Sequence, residues 1–200
     1  MSTHAERSET TRAKLLDAGR RLFGRDGFSD TSLDDVVRFA GVTRGALYHH
    51  FDSKEGLFLA VFEEVERELA AEVRAGVRAG SEPRTRLRDG LRAFLAACQR
   101  AEVQQITLDA PAVLGWQAWR DIDSCHIAGL LREGLAAAMT DEQRARRPVD
   151  VVTQILRGAL AEAAQLVAGS EDRPEKLEVV MDAVEDMVHA MLTQPALQPA

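Results

Sequence analysis

The apolar residues of this 200-residue chain recur at three- and four-residue spacing almost from end to end. Nothing in it sustains the period-two alternation of a half-buried strand. Leu57, Val61, Phe62, Val65, Leu69, Val73 and Val77 keep a single stripe along one long segment. Aromatic residues make up only 5% of the chain, and there is no Asn-Gly hairpin signal. These spacings predict an all-α protein.

Turn and cap residues divide the pattern into helices. The first is expected over about 11–23, with Leu15, Leu16, Leu22 and Phe23 on one side and Gly24 as its stop. Thr31-Ser32-Leu33-Asp34 then reads as a capping signal for a short helix that ends at Gly41. Thr43 caps a third helix over 44–50, and Asp52 with Glu55 caps a fourth that continues from Ser53 to about Ala79. Gly80-Ser81-Glu82-Pro83 is the clearest break, with Pro83 placed to start the next helix over 83–100. A shorter piece carrying Val103, Ile106 and Leu108 leads to Pro111 and Gly115, followed by a helix over 116–139 and a polar loop over 140–148. Two last helices cover about 149–168 and 175–192, and the tail QPALQPA is expected to fray. The domain boundaries that follow are 8–57 for an N-terminal head and 80–195 for a C-terminal region, joined by the long helix over 53–79.

Composition excludes several function classes. Apolar residues at 46% and charged residues at 28% match a soluble globular chain, and no apolar run reaches the roughly 18 residues of a membrane span. The first residues, MSTHAERSET, lack an apolar signal segment, so a cytoplasmic location is expected. Two cysteines, Cys98 and Cys125, cannot build a disulfide scaffold or a Cys-rich metal site. No Gly-rich phosphate loop, H-E-x-x-H or G-x-S-x-G motif is present, so neither an enzyme nor a cofactor is expected. The net charge of −7 looks adverse for a nucleic-acid binder, but residues 1–60 carry nine basic and nine acidic side chains. All the excess negative charge therefore lies beyond residue 60, and a phosphate-binding surface would have to be local to the head.

Helix, short helix, Gly turn and short helix make a three-helix unit with a helix-turn-helix inside it. A tight turn alone is weak, since any helical bundle has them. The third helix is more telling: Thr43, Arg44, Tyr48, His49 and His50 are hydrogen-bonding side chains crowded onto two turns, and only Leu47 and Phe51 are needed to pin it to a core. A plain polar face with one half-buried ring is the competing reading. Lys54 opposes the dipole of the fourth helix from within its first turn, a site that suits a DNA phosphate, although a solvated lysine would also fit.

The spaced residues Thr31, Ser32, Asp35, Val36, Ala40, Gly41, Val42, Thr43, Gly45, Leu47, Tyr48, His50, Phe51, Ser53, Lys54, Glu55 and Leu57 resemble the TetR (tetracycline-repressor) family of bacterial regulators, over about residues 10–57. Val37 stands where that family more often has alanine. The resemblance implies a homodimer that places two third helices in the major groove of a double-stranded, palindromic operator. It implies Arg44 as a base reader through a bidentate pair to guanine, and Gly45 as the point of closest backbone approach. Tyr48, His49, His50, Lys54, Thr31 and Ser32 would hold phosphates, and Thr43 could serve either role.

The C-terminal region resembles the family in architecture only. Val152, Leu156, Ala159 and Ala163, with Val180, Val184, Met187 and Met191, lie on the apolar stripes of the last two helices and are the candidate dimer interface, an intrachain core being the alternative. By the same analogy the middle helices would enclose a pocket for a small apolar effector of unknown identity, with Cys98, Asp109, Trp116, Trp119, Cys125 and His126 as candidate lining. Simple core packing is the competing role for each. Cys125-His126 is a poor catalytic pair, because neighbours on a helix point about 100° apart. The leading expectation is a ligand-released repressor. An activator of the same fold, a thiol-based redox-responsive regulator and a helical interaction module that does not bind DNA are the alternatives.

Overall fold

The computed structural model describes residues 4–170 and 172–193; the QPALQPA tail lies outside them. Among the described residues there are eleven helices and no strand. The chain divides into two compact units, each discontinuous in sequence.

The first unit holds residues up to Glu68 together with Arg100–Ile122. Its elements are α1 (His4–Asp30), α2 (Leu33–Ala40), α3 (Arg44–His50), the first part of α4 (Lys54–Gly76), α6 (Ala101–Leu114) and most of α7 (Trp116–Cys125). Gly24 does not stop α1, contrary to the sequence reading. It lies within the helix, where a Cβ would come within 2.6 Å of Glu102 Cβ and 2.8 Å of Glu102 Cα, so its missing side chain lets α6 approach. The break comes at Gly27, whose φ of 80° suits glycine alone. Thus α6, which the sequence reading groups with the C-terminal region, packs on α1. Phe23, Phe28 and Phe58 form an aromatic cluster with ring centroids 5.2–5.9 Å apart. Val36, Leu47 and Phe51 are buried, as the spacing predicts, and both short helices pack on α1.

Caps refine the predicted boundaries. Ser32, and not Thr31, accepts the Asp35 N–H to cap α2, and Gly41 ends it in the left-handed conformation. Thr43 caps α3 through the Ala46 N–H. Ser53, and not Asp52, accepts the Gly56 N–H in the first turn of α4. Pro111 lies inside a continuous α6. The helix expected over 116–139 breaks at His126, and part of the expected polar loop is a short helix.

The second unit holds Leu69–Gln99 and the chain from Asp123 onward. It comprises the end of α4, α5 (Pro83–Ala97), α8 (Ile127–Ala138), α9 (Asp141–Arg146), α10 (Val149–Ala168) and α11 (Arg173–Thr193). Thr140 and Gln143 form a reciprocal capping box on α9. The core joins Leu91 and Leu95 of α5, Leu131 and Leu135 of α8, Leu156 and Leu160 of α10, and Met181 and Val184 of α11.

That core corrects much of the expected dimer interface. Val152, Leu156, Ala163, Val180 and Val184 are buried within this unit, Ala159 and Met191 are half-buried, and of the eight only Met187 is exposed. The two helices are apolar on two sides, so periodicity alone could not say which side faces outward. The outward face carries Val151, Ile155 and Leu166 on α10 and Val179 and Met187 on α11.

Candidate nucleic-acid interface

Helix α3 shows its polar residues to solvent. Thr43, Arg44, Gly45, Tyr48 and His49 are exposed and His50 is half-buried, whereas Leu47 is fully buried and Phe51 nearly so. The exposed edge of α3 is thus the polar one that the sequence singles out. Gly45 has open space where a Cβ would lie, so nothing on the protein prevents close approach of its backbone.

Arg44 is held rather than loose. Its Nη1 donates to Asp34 Oδ1 at 2.9 Å and its Nη2 lies 3.4 Å from the Tyr48 hydroxyl, with the guanidinium carbon 5.6 Å from the Tyr48 ring centroid. Tyr48 and then Asp34 push its pKa further above the ordinary arginine range, so it stays cationic. The sequence reading missed Asp34. Its only signal there was a carboxylate in the first turn of α2, which capping alone explains. Arg12 was missed too: its guanidinium lies 5.5 Å from the Phe51 ring centroid, next to the end of α3.

Two expected phosphate holders are placed otherwise. Thr31 is 3% exposed, and its hydroxyl donates to Gly27 O at 2.8 Å. Lys54 Nζ donates to Phe28 O at 2.6 Å and Thr31 O at 2.7 Å, with Ser29 O at 3.4 Å and the Phe28 ring centroid 4.1 Å away. An ammonium has three donors, and here all three meet carbonyls around the end of α1, where helix geometry leaves acceptors unpaired. The sequence could not show this, because the acceptors lie more than twenty residues away in the chain. The Glu55 carboxylate accepts its own backbone N–H and the Ser53 hydroxyl, which holds it below the ordinary carboxylate range, so the first turn of α4 is already supplied with an anion.

The six candidate pocket residues are divided between the two units. Asp109 Oδ2 accepts the Phe28 N–H at 2.8 Å and its Oδ1 accepts from Gln105 at 3.2 Å. Trp116 is 61% exposed against the buried Trp119, with ring centroids 4.8 Å apart. Cys98 is buried, Cys125 exposed and His126 half-buried at the break between α7 and α8. No disulfide joins the two cysteines, and among the described residues no cluster suits a metal ion. The second unit has its own apolar cavity of about 320 Å³, lined by residues such as Val73, Leu87, Phe94, Ile127 and Leu131, with Arg74, Arg86 and Glu133 also on its wall. None of the six lines it: Asp109, Trp116 and Trp119 belong to the first unit, and Cys98, Cys125 and His126, although in the second, are not on its wall. No helix of the described residues is long and apolar enough to cross a membrane.

A three-helix head with an exposed polar edge on its third helix, together with a helical unit that holds an apolar cavity, is the architecture of a helix-turn-helix protein. The model of bacterial regulatory proteins of the tetR family matches residues 15–61, and that of the tetracyclin repressor-like C-terminal domain matches 84–191. The HTH-type transcriptional repressor Rv1474c of Mycobacterium tuberculosis is 30% identical, over 88% of this chain and 92% of its own length. AcrR of Shigella flexneri is 45% identical over 58 residues, a match that spans only 29% of this chain and 27% of AcrR. A solved TetR-family regulator from Pectobacterium atrosepticum superposes with a TM-score of 0.68 at 34% identity, covering 98% of this chain and all of that one. The chain belongs to the TetR family of bacterial transcriptional regulators, and its relatives are regulators, not enzymes.

Proposed function

We propose that this protein is a cytoplasmic, ligand-responsive repressor that binds a palindromic duplex operator as a homodimer. The observation that carries the reading is the division of α3 into a buried edge, Leu47 and Phe51, and an exposed edge carrying Thr43, Arg44, Gly45, Tyr48 and His49. Arg44 reads a base, and Thr43, Tyr48, His49, His50 and the cap Ser32 hold phosphates. Arg12 takes the phosphate role expected of Lys54. Arg7, Arg12 and Lys14, exposed on α1, carry no carboxylate ion pair among the described residues, unlike Arg21, Arg38 and Arg44. They supply the local positive charge that a phosphate surface needs.

The exposed side chains Val151, Ile155, Leu166, Val179 and Met187 support dimerisation. Large apolar residues grouped on two neighbouring helices are characteristic of an interface. Two heads held by one such interface would meet half-sites about one helical turn apart. The apolar cavity of the second unit supports a small apolar effector, whose binding favours a form of the dimer that no longer fits the operator.

The test is equilibrium binding of the purified protein to duplexes from the promoter upstream of its own gene, over a range of salt. A repressor loses affinity with a log–log slope of about −0.9 per phosphate contacted. Arg44→Ala should cost about 1–3 kcal/mol at one base pair. Absence of any salt-sensitive binding would overturn the reading. Ile155→Glu should yield monomers in sedimentation, and dimers that survive it would place the interface elsewhere.

A further inference from the structure

We propose that Asp34 is a positioning residue that sets the sequence discrimination of Arg44; the proposal rests on the reading of Arg44 as a base reader. The Asp34 carboxylate holds Nη1 at 2.9 Å from the α2 side, while Tyr48 flanks the guanidinium from the next turn of α3, its hydroxyl 3.4 Å from Nη2 and its ring centroid 5.6 Å from the guanidinium carbon. One donor is left over on each of Nη1 and Nη2, and a pair of guanidinium donors is what the O6 and N7 acceptors of guanine require.

Two observations argue against a merely structural pair. The Arg44 and Asp34 side chains remain 61% and 71% exposed, and exposed ion pairs add little to folding. A carboxylate on the face that meets DNA also repels every phosphate near it, so Asp34 lowers affinity for all sequences alike. It neutralises Arg44, so the pair gains less from non-specific phosphate contact, which depends on net cationic charge and counterion release. A group that weakens the wrong complexes while fixing the geometry of the right one raises specificity at the expense of raw affinity. Asp35, next in sequence, does not share this role: it is bonded to Ser32 and paired with Arg38 on its own helix.

The experiment selects duplexes from a random-sequence library with full-length wild type, Asp34→Asn, Asp34→Glu and Arg44→Ala. Each protein is then titrated with the wild-type-selected duplex and a scrambled one at about 0.1 M salt. Asp34→Asn should bind the scrambled duplex more tightly and lose about five- to tenfold in the ratio of selected to scrambled affinity. Its selected motif should weaken at the same base pair that Arg44→Ala loses, Asp34→Glu should restore part of the ratio, and the thermal midpoint should not move. If Arg44→Ala loses that base pair while Asp34→Asn keeps the wild-type motif and ratio, the proposal fails and the reading of Arg44 stands. If Arg44→Ala keeps the motif, the reading of Arg44 fails and the proposal with it. An equal loss of affinity for both duplexes by Asp34→Asn would mark Asp34 as structural and overturn the proposal.

Discussion

The carboxylate of Asp109 on α6 accepts the backbone N–H of Phe28 at 2.8 Å, just past the break in α1 at Gly27. This bond fixes the chain where it turns from α1 toward α2, so α6 helps to shape the head. A hydrogen bond to a charged acceptor contributes about 1–3 kcal/mol, and its loss leaves a half-buried N–H unpaired. Asp109→Ala should therefore lower stability by about that amount in urea unfolding, with weaker binding to every duplex tested. An unchanged midpoint would show the contact to be incidental.

Lys54 provides a test that separates two roles. If its ammonium serves the carbonyls of Phe28 and Thr31, Lys54→Met should cost about 1–3 kcal/mol of stability and leave the salt slope of DNA binding unchanged. If it holds a phosphate instead, the slope should fall by about 0.9 with little loss of stability.

Two helical glycines should respond oppositely to alanine. At Gly24 a Cβ would press on the Glu102 backbone at 2.8 Å, and such overpacking costs about 1–3 kcal/mol. At Gly90 in α5 the nearest atoms, on Val73 and Val77, lie at 3.6 and 3.7 Å, ordinary contact distances. Gly90→Ala should then stabilise by about 0.5–1 kcal/mol, the usual gain in a helix interior. Thermal midpoints shifted down for Gly24→Ala and up for Gly90→Ala are expected, and shifts of the same sign would contradict this packing.

Within the second unit Arg92 of α5 donates two hydrogen bonds to Glu178 of α11, at 2.8 and 3.1 Å. These bonds, with the charge of Arg92, hold the Glu178 carboxyl below the ordinary glutamate range. A carboxyl whose folded pKa is depressed adds stability above its unfolded value, and that stability is lost as pH falls through the folded one. Glu178→Gln should thus slightly destabilise the protein near neutrality and flatten the decline between about pH 5 and about pH 3. Parallel acid limbs for the two proteins in denaturant titrations would refute the linkage.

Much of the head was legible in the sequence because its signals are local. Gly41, Thr43, Leu47 and Phe51 act within one or two turns of where they stand, so spacing and capping rules place α2 and α3 to within a residue or two. The stripes of α10 and α11 were equally plain, yet which stripe faces the unit's own core depends on what α5 and α8 bring to it.

What the sequence determined by itself is the all-helical class, the helix-turn-helix and the polar edge of α3, since each depends on contacts between residues three or four apart. Tertiary structure alone decided that Lys54 serves carbonyls and Asp109 an N–H, that Asp34 holds Arg44, and that Gly24 admits α6. A polar or charged group takes whichever partner the fold brings within about 3 Å, and across separations of ten to 81 residues the sequence carries no local trace of that partner.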